Sequence, residues 1–148
     1  MKVNEIFKRA LSLAEEGRLD DAEKAYMEAL RVAEFPELWN NLGNVYRRKG
    51  LLSKAIECYE NALKLDPHFR MAKVNLGAAF LEMGRYGEAL LILESLLKSG
   101  DDSQETLLAL AIAYEKSGRH ADFIRIYRLI KLESKDEILK EYDISPPD

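Results

Sequence analysis

The chain has 148 residues, enough for one domain with a real hydrophobic core and too few to expect two. Its 47% apolar and 32% charged residues, with only 8 glycines and 4 prolines, exclude the disordered and collagen-like extremes and suit a folded helical protein. A net charge of −4 and a pI near 5.4 exclude a global attraction for nucleic acid or anionic membrane, and the single cysteine, Cys58, excludes an internal disulfide and suits a reducing compartment.

The first residues, Met1 to Arg9, alternate charged and apolar side chains, which argues against a signal peptide. No stretch approaches the roughly 20 apolar residues that cross a bilayer. A cytoplasmic location is the expectation. Ile6, Ala10 and Leu13 fall at helical intervals before Gly17, and Ala22, Tyr26 and Ala29 do so after it. Gly50, Gly84 and Gly118 then follow at steps of 34 residues, after a first step of 33 from Gly17. Leu42 and Tyr46, Leu76 and Phe80, and Leu110 and Tyr114 recur at the same interval, as do Tyr59, Leu93 and Tyr127. A repeat of helix-pair length carrying helix-period patterning predicts stacked hairpins.

The most complete unit runs from Pro36 to Phe69. Pro36 suits a first helical turn, Gly50 can take the positive φ that ends a helix, and Asp66-Pro67 stops the second helix. Trp39, Leu42, Gly43 and Tyr46 form one stripe, and Ala55, Tyr59, Ala62 and Leu63 form the other. The small Gly43 and Ala55 let two backbones approach, while Trp39, Tyr46 and Tyr59 fill the space around them. The pattern W-x2-L-G-x2-Y, followed by Ala, an aromatic, Ala and Pro, resembles the tetratricopeptide repeat (TPR). That resemblance implies an all-α, right-handed solenoid of antiparallel helix hairpins with a role in protein binding. The other units match less completely. Arg9 takes the usual Leu slot of the first unit, Lys73 the Trp slot and Asp101 the Pro slot of the third, and Phe123 the small Ala slot of the fourth. The predicted organisation is one domain of four repeats (3–35, 36–69, 70–103, 104–133) with a short cap helix and tail over 134–148.

No chemistry-bearing constellation emerges, so no enzyme activity, metal or cofactor is expected. His68 and His120 stand alone, Cys58 is the only thiol, and Gly84-Arg85-Tyr86-Gly87 lacks the preceding strand that a nucleotide-binding turn requires. The acidic pairs Glu15-Glu16, Asp20-Asp21 and Asp101-Asp102 flank helix starts, where they complement the dipole. Arg47-Arg48-Lys49, the only basic run, reads as a solvated helix end whose cations offset the dipole, with reception of an acidic flank of a partner as the alternative.

The resemblance further implies that the first helix of each pair lines an inner groove. The peptide-binding candidates are then Asn40, Asn41, Asn44 and Arg47 in the second unit, Met71, Val74, Asn75, Ala78 and Leu81 in the third, and Leu108 and Ile112 in the fourth, with Asn4, Phe7, Leu11, Glu105 and Glu115 beside them. Met71, Val74, Ala78, Leu81, Leu108 and Ile112 predict a contiguous apolar strip for an amphipathic helix or an extended peptide. A shifted register, or a C-terminal segment folded over the strip, are the alternatives. Asn41 and Asn75, one repeat apart, are either main-chain-reading amides, as in the asparagine ladders of some family members, or solubilising surface residues. The family's carboxylate clamp for acidic chaperone tails is not expected: Asn44 and Asn75 match, but its basic slots hold Asn40, Glu105 and Ala109. The expected partner is a partly apolar protein or peptide, without nucleic acid or membrane. The alternative role is a self-associating structural subunit, a homodimer through the groove or a terminal hairpin.

Overall fold

The computed structural model describes residues 2–148. The described residues form nine helices and no strand: α1 (Val3–Glu15), α2 (Leu19–Val32), α3 (Pro36–Arg48), α4 (Leu52–Leu65), α5 (Arg70–Glu82), α6 (Tyr86–Lys98), α7 (Gln104–Lys116), α8 (His120–Tyr127) and α9 (Lys135–Glu141). This is the all-α helical-repeat architecture expected from the period. Two compact units divide the chain, one reaching to Ala79 and the other running from Phe80 to Asp148, with the boundary inside α5.

The same turn closes four hairpins. Gly17, Gly50, Gly84 and Gly118 all hold φ between 75° and 78°, where a Cβ is disfavoured. After Gly50, the Leu51 N–H donates to the Tyr46 carbonyl at 2.9 Å, and the Gly50 N–H donates to Arg47 at 3.0 Å. Arg18, Arg85 and Arg119 repeat the longer bond to Leu13, Phe80 and Tyr114. This is the Schellman arrangement, which satisfies the last helical carbonyls and reverses the chain. Helix starts differ in their devices. Pro36 pushes Phe35 into extended geometry (φ −125°, ψ 146°) and itself opens α3. The Ser103 side chain accepts from the Thr106 N–H to cap α7.

In the first unit, α1 packs on α2, α2 on α3 and α3 on α4. Its core is Ile6, Ala10, Ala22, Tyr26, Leu38, Leu42, Val45, Ala55 and Tyr59. The α3–α4 crossing is close because Gly43 carries no side chain: a Cβ there would lie 2.5 Å from the Tyr59 ring. The basic run at the end of α3 is not a solvated helix end. Lys49 Nζ meets Asp20 at 2.6 Å and Glu23 at 2.9 Å, and Arg48 donates to the Ala14 carbonyl at 2.7 Å, so two of the three cations tie this hairpin to the preceding one. Donating hydrogen bonds to Asp20 and Glu23 holds the Lys49 ammonium above its ordinary range.

In the second unit α7 packs between α6 and α8. From Thr106 to Tyr114 every residue except Ala109 is buried. A helix apolar on all sides belongs inside, not on an open wall. Phe123 is fully buried beside His120 and Tyr127, with ring centroids 5.8 Å away in each case. The expected short helix after Ser134 is α9, with Leu139 and Ile144 buried. Asp136 accepts from the Tyr127 hydroxyl and Lys135 donates to the Ile130 carbonyl, so α9 is fastened to the end of α8.

Candidate functional site

The asparagines of α3 and α5 form the most ordered polar group of the first unit. Asn40 is fully buried, whereas Asn41, Asn44 and Asn75 are half-buried. Each of the three half-buried amides is held by a partner from the core. Asn41 bonds the Tyr26 hydroxyl, whose burial pushes its pKa up to about 12. The Tyr59 hydroxyl donates to Asn44 Oδ1 at 2.6 Å. Asn75 Nδ2 donates to Asn40 Oδ1 at 2.9 Å. Asn40 Nδ2 is itself buried without a hydrogen-bond partner among the described residues.

These bonds leave complementary groups available. With its oxygen engaged by Tyr59, Asn44 keeps Nδ2 as a donor. With its nitrogen engaged by Asn40, Asn75 keeps Oδ1 as an acceptor. A peptide unit presents one acceptor and one donor, so this pair has the chemistry to meet main chain whatever the side chains.

Several sequence expectations need correction. Asn40 does not face a ligand: at 0% exposure it is a supporting residue behind Asn75. The apolar strip does not run open through the candidate residues either. Leu81, Leu108 and Ile112 retain 4%, 9% and 3% exposure and belong to the core. Apolar residues on every side of α7 make that helix an interior one, which a reading confined to one stripe overlooked. Met71 is 53% exposed, and Val74 and Ala78 are half-buried. Arg47 is half-buried and already interacts with neighbouring groups.

Among the described residues of the first unit, two cavities lie near these helices. One, of about 270 Å³, is lined by Val3, Asn4 and Phe7 of α1 with Phe35, Glu37 and Leu38 at the start of α3. The other, of about 390 Å³, lies between α2 and α4 over Trp39, Leu42 and Tyr46. Cys58 lines it but is 4% exposed, and burial pushes its thiol up to about 12. Iodoacetamide at pH 8 is therefore expected to leave Cys58 unmodified in the folded protein and to alkylate it in urea. The raised value also carries a sign. Between the ordinary thiol value of 9.0 and about 12 the unfolded chain releases a proton that the folded one keeps, so this stability contribution falls as pH rises above 9.

A repeated ion pair escaped the sequence reading. Arg18 with Asp21, Arg85 with Glu88, and Arg119 with Asp122 each close the turn after a glycine, at 2.9, 2.6 and 2.9 Å. The guanidinium carbons of Arg85 and Arg119 also lie 4.7 Å from the Phe80 and Tyr114 ring centroids. The signal was an Arg directly after the turn glycine with an acid three residues on. These exposed pairs stabilise little and leave no binding group open.

Among the described residues, no helix is long and apolar enough to cross a membrane, and no group of three or more His, Cys, Asp or Glu is placed to hold a metal ion.

Comparison with known proteins bears on the same residues. Residues 5–35 and 36–69 each match a family model described as tetratricopeptide repeat, and residues 53–141 match one described as the Psidin N-terminal TPR repeats region. The mitochondrial import receptor subunit TOM70 of Saccharomyces cerevisiae is 32% identical over 101 residues, 64% of this chain and 16% of that protein. The BBSome complex member BBS4 of Xenopus tropicalis is 34% identical over 93 residues, 62% of this chain and 18% of that protein. The chain thus spans less than a fifth of these relatives' length. The solved structure of MamA from Desulfovibrio magneticus RS-1 superposes with a TM-score of 0.85 at 19% identity, covering 95% of this chain and 83% of that one, a likeness of fold.

Proposed function

The chain belongs to the tetratricopeptide-repeat family, and from that premise we propose that it binds an extended segment of a partner protein across the first helices of its N-terminal unit, with Asn41, Asn44 and Asn75 reading the partner's main chain. The carrying observation is the pre-set polarity of the amides: Tyr59 leaves Asn44 a donor and Asn40 leaves Asn75 an acceptor. Solubilising surface residues would have no need of a buried tyrosine or a buried amide behind each of them. Held amides lose little rotamer freedom on binding, which lowers the entropic cost of association. Met71, Val74 and Ala78, on α5 alongside Asn75, add apolar contact. The names of two relatives, an import receptor subunit and a complex member, fit a protein-binding role. Fold alone would not select the partner.

A displayed library of random ten-residue peptides, selected on the purified protein, tests this reading. Enriched peptides are expected to bind at roughly micromolar Kd, and Asn44→Ala or Asn75→Ala to weaken them about 2- to 10-fold regardless of peptide sequence, as loss of one net hydrogen bond implies. Failure to enrich any peptide would sink the proposal.

Asn40 supplies a separate prediction. A buried amide lacking one partner carries a penalty of about 1–3 kcal/mol. Asn40→Leu is expected to leave the melting temperature unchanged or higher while weakening peptide binding, because Asn75 loses its anchor. A melting temperature lowered by more than about 5 °C, over 1 kcal/mol for a chain of this size, would show that Asn40 serves the fold instead.

A further inference from the structure

The cavity at the α1–α3 end has a place in the same surface, and resting on the peptide-binding reading we infer that it is the side-chain pocket giving that surface its specificity. Its occupant is one large apolar residue of the bound segment, leucine, methionine or phenylalanine, flanked by a basic residue. Three observations lead there. The first is position: Phe7 stands 34 residues before Asn41, as Asn41 stands 34 before Asn75, so the pocket occupies the next step of the same ladder. The second is physical continuity. The Phe7 ring meets Tyr26 edge-on, with centroids 6.2 Å apart, and the hydroxyl of that same Tyr26 holds Asn41. The third is chemistry and size. Val3, Phe7, Phe35 and Leu38 make apolar walls around about 270 Å³, below the roughly 300–1,000 Å³ of small-molecule sites and suited to a single side chain.

The rim fixes the neighbouring residue. Glu37 lines the cavity, is exposed, and has no ion-pair partner among the described residues. A lysine or arginine next to the anchor meets it; an acidic residue is repelled.

The library selection distinguishes this inference from the one it rests on. Enriched peptides are expected to carry Leu, Met or Phe at one fixed position with Lys or Arg beside it. Alanine at that position is expected to raise Kd about 10- to 100-fold, the measure of one buried apolar side chain. Phe35→Ser, a change at an exposed loop residue, is expected to weaken the same peptide comparably while the thermal melt stays close to wild type, and Phe7→Ala to weaken it as well. Glu37→Lys is expected to reverse the charge preference of the flanking position, which a purely structural role for Glu37 would not do. Enriched peptides with no apolar preference, or a preference that survives Phe35→Ser and Phe7→Ala unchanged, overturn the pocket and leave the asparagine reading standing. Absence of any enriched peptide overturns both.

Discussion

Gly43→Ala is expected to destabilise the protein by about 1–3 kcal/mol, a fall of roughly 3–10 °C in melting temperature for a chain of this size. The added methyl group would lie 2.5 Å from Tyr59 Cε1, 2.8 Å from Cδ1 and 3.0 Å from Cζ, and this ring has nowhere to retreat. Tyr59 is fully buried, and its hydroxyl is committed to Asn44. Either α3 and α4 separate, losing contacts along both, or the ring tilts and releases Asn44. The second route adds a binding defect, so loss of peptide affinity should accompany the loss of stability. Gly87 provides the control. A Cβ there meets nothing within 4 Å, and Gly87→Ala should match or exceed wild-type stability because alanine favours the helix. Circular-dichroism melts of both variants are the check; an unchanged melting temperature for Gly43→Ala would refute the close crossing.

Phe123→Ala tests the opposite error, in which the family pattern is the wrong guide. The repeat pattern wants a small residue at this position, as Ala55 and Ala89 supply with no exposed surface. Restoring the pattern residue at 123 is nevertheless expected to cost about 3–5 kcal/mol. Phe123 is fully buried, packs against His120 and Tyr127, and shares its unit with the buried Ile126, Ile130 and Leu139. Removing the ring leaves a cavity, since α8 is only eight residues long and its neighbours are fixed by the turn before it and by α9 after it. A melt lowered by roughly 6–20 °C is the expected result. A variant as stable as the parent would mean that the hairpin collapses onto the smaller residue, as the pattern alone implies.

The sequence was a reliable guide wherever one residue's own conformation decides the outcome. Gly17, Gly50, Gly84 and Gly118 announce turns because a positive φ excludes most side chains, and Pro67 ends α4 because the residue before it leaves the helical region. The apolar stripe of α3 was legible in part: Leu42, Gly43 and Tyr46 are buried as the spacing implies, but Trp39 is half-buried and Leu38, Asn40 and Val45 are buried as well. The candidate surface was legible in part. Asn41, Asn44 and Asn75 lie half-open on their helices, but Asn40, Leu81, Leu108 and Ile112 turned inward. Helical spacing assigns residues to a face and says nothing of what covers that face, so a helix apolar all round, such as α7, offers no stripe from which to read an outside.

Local rules written in the chain thus determined the turns that close the hairpins and the pairing of helices around them, since each follows from a residue type at a fixed spacing. Burial and amide polarity were decided only in three dimensions. Asn75 is an acceptor because Asn40 lies behind it, 35 positions away, and Asn44 is a donor because Tyr59 reaches it from the next helix. Which face is covered, and which hydrogen-bonding atom is left over, depend on partners distant in sequence, and no local pattern carries that information.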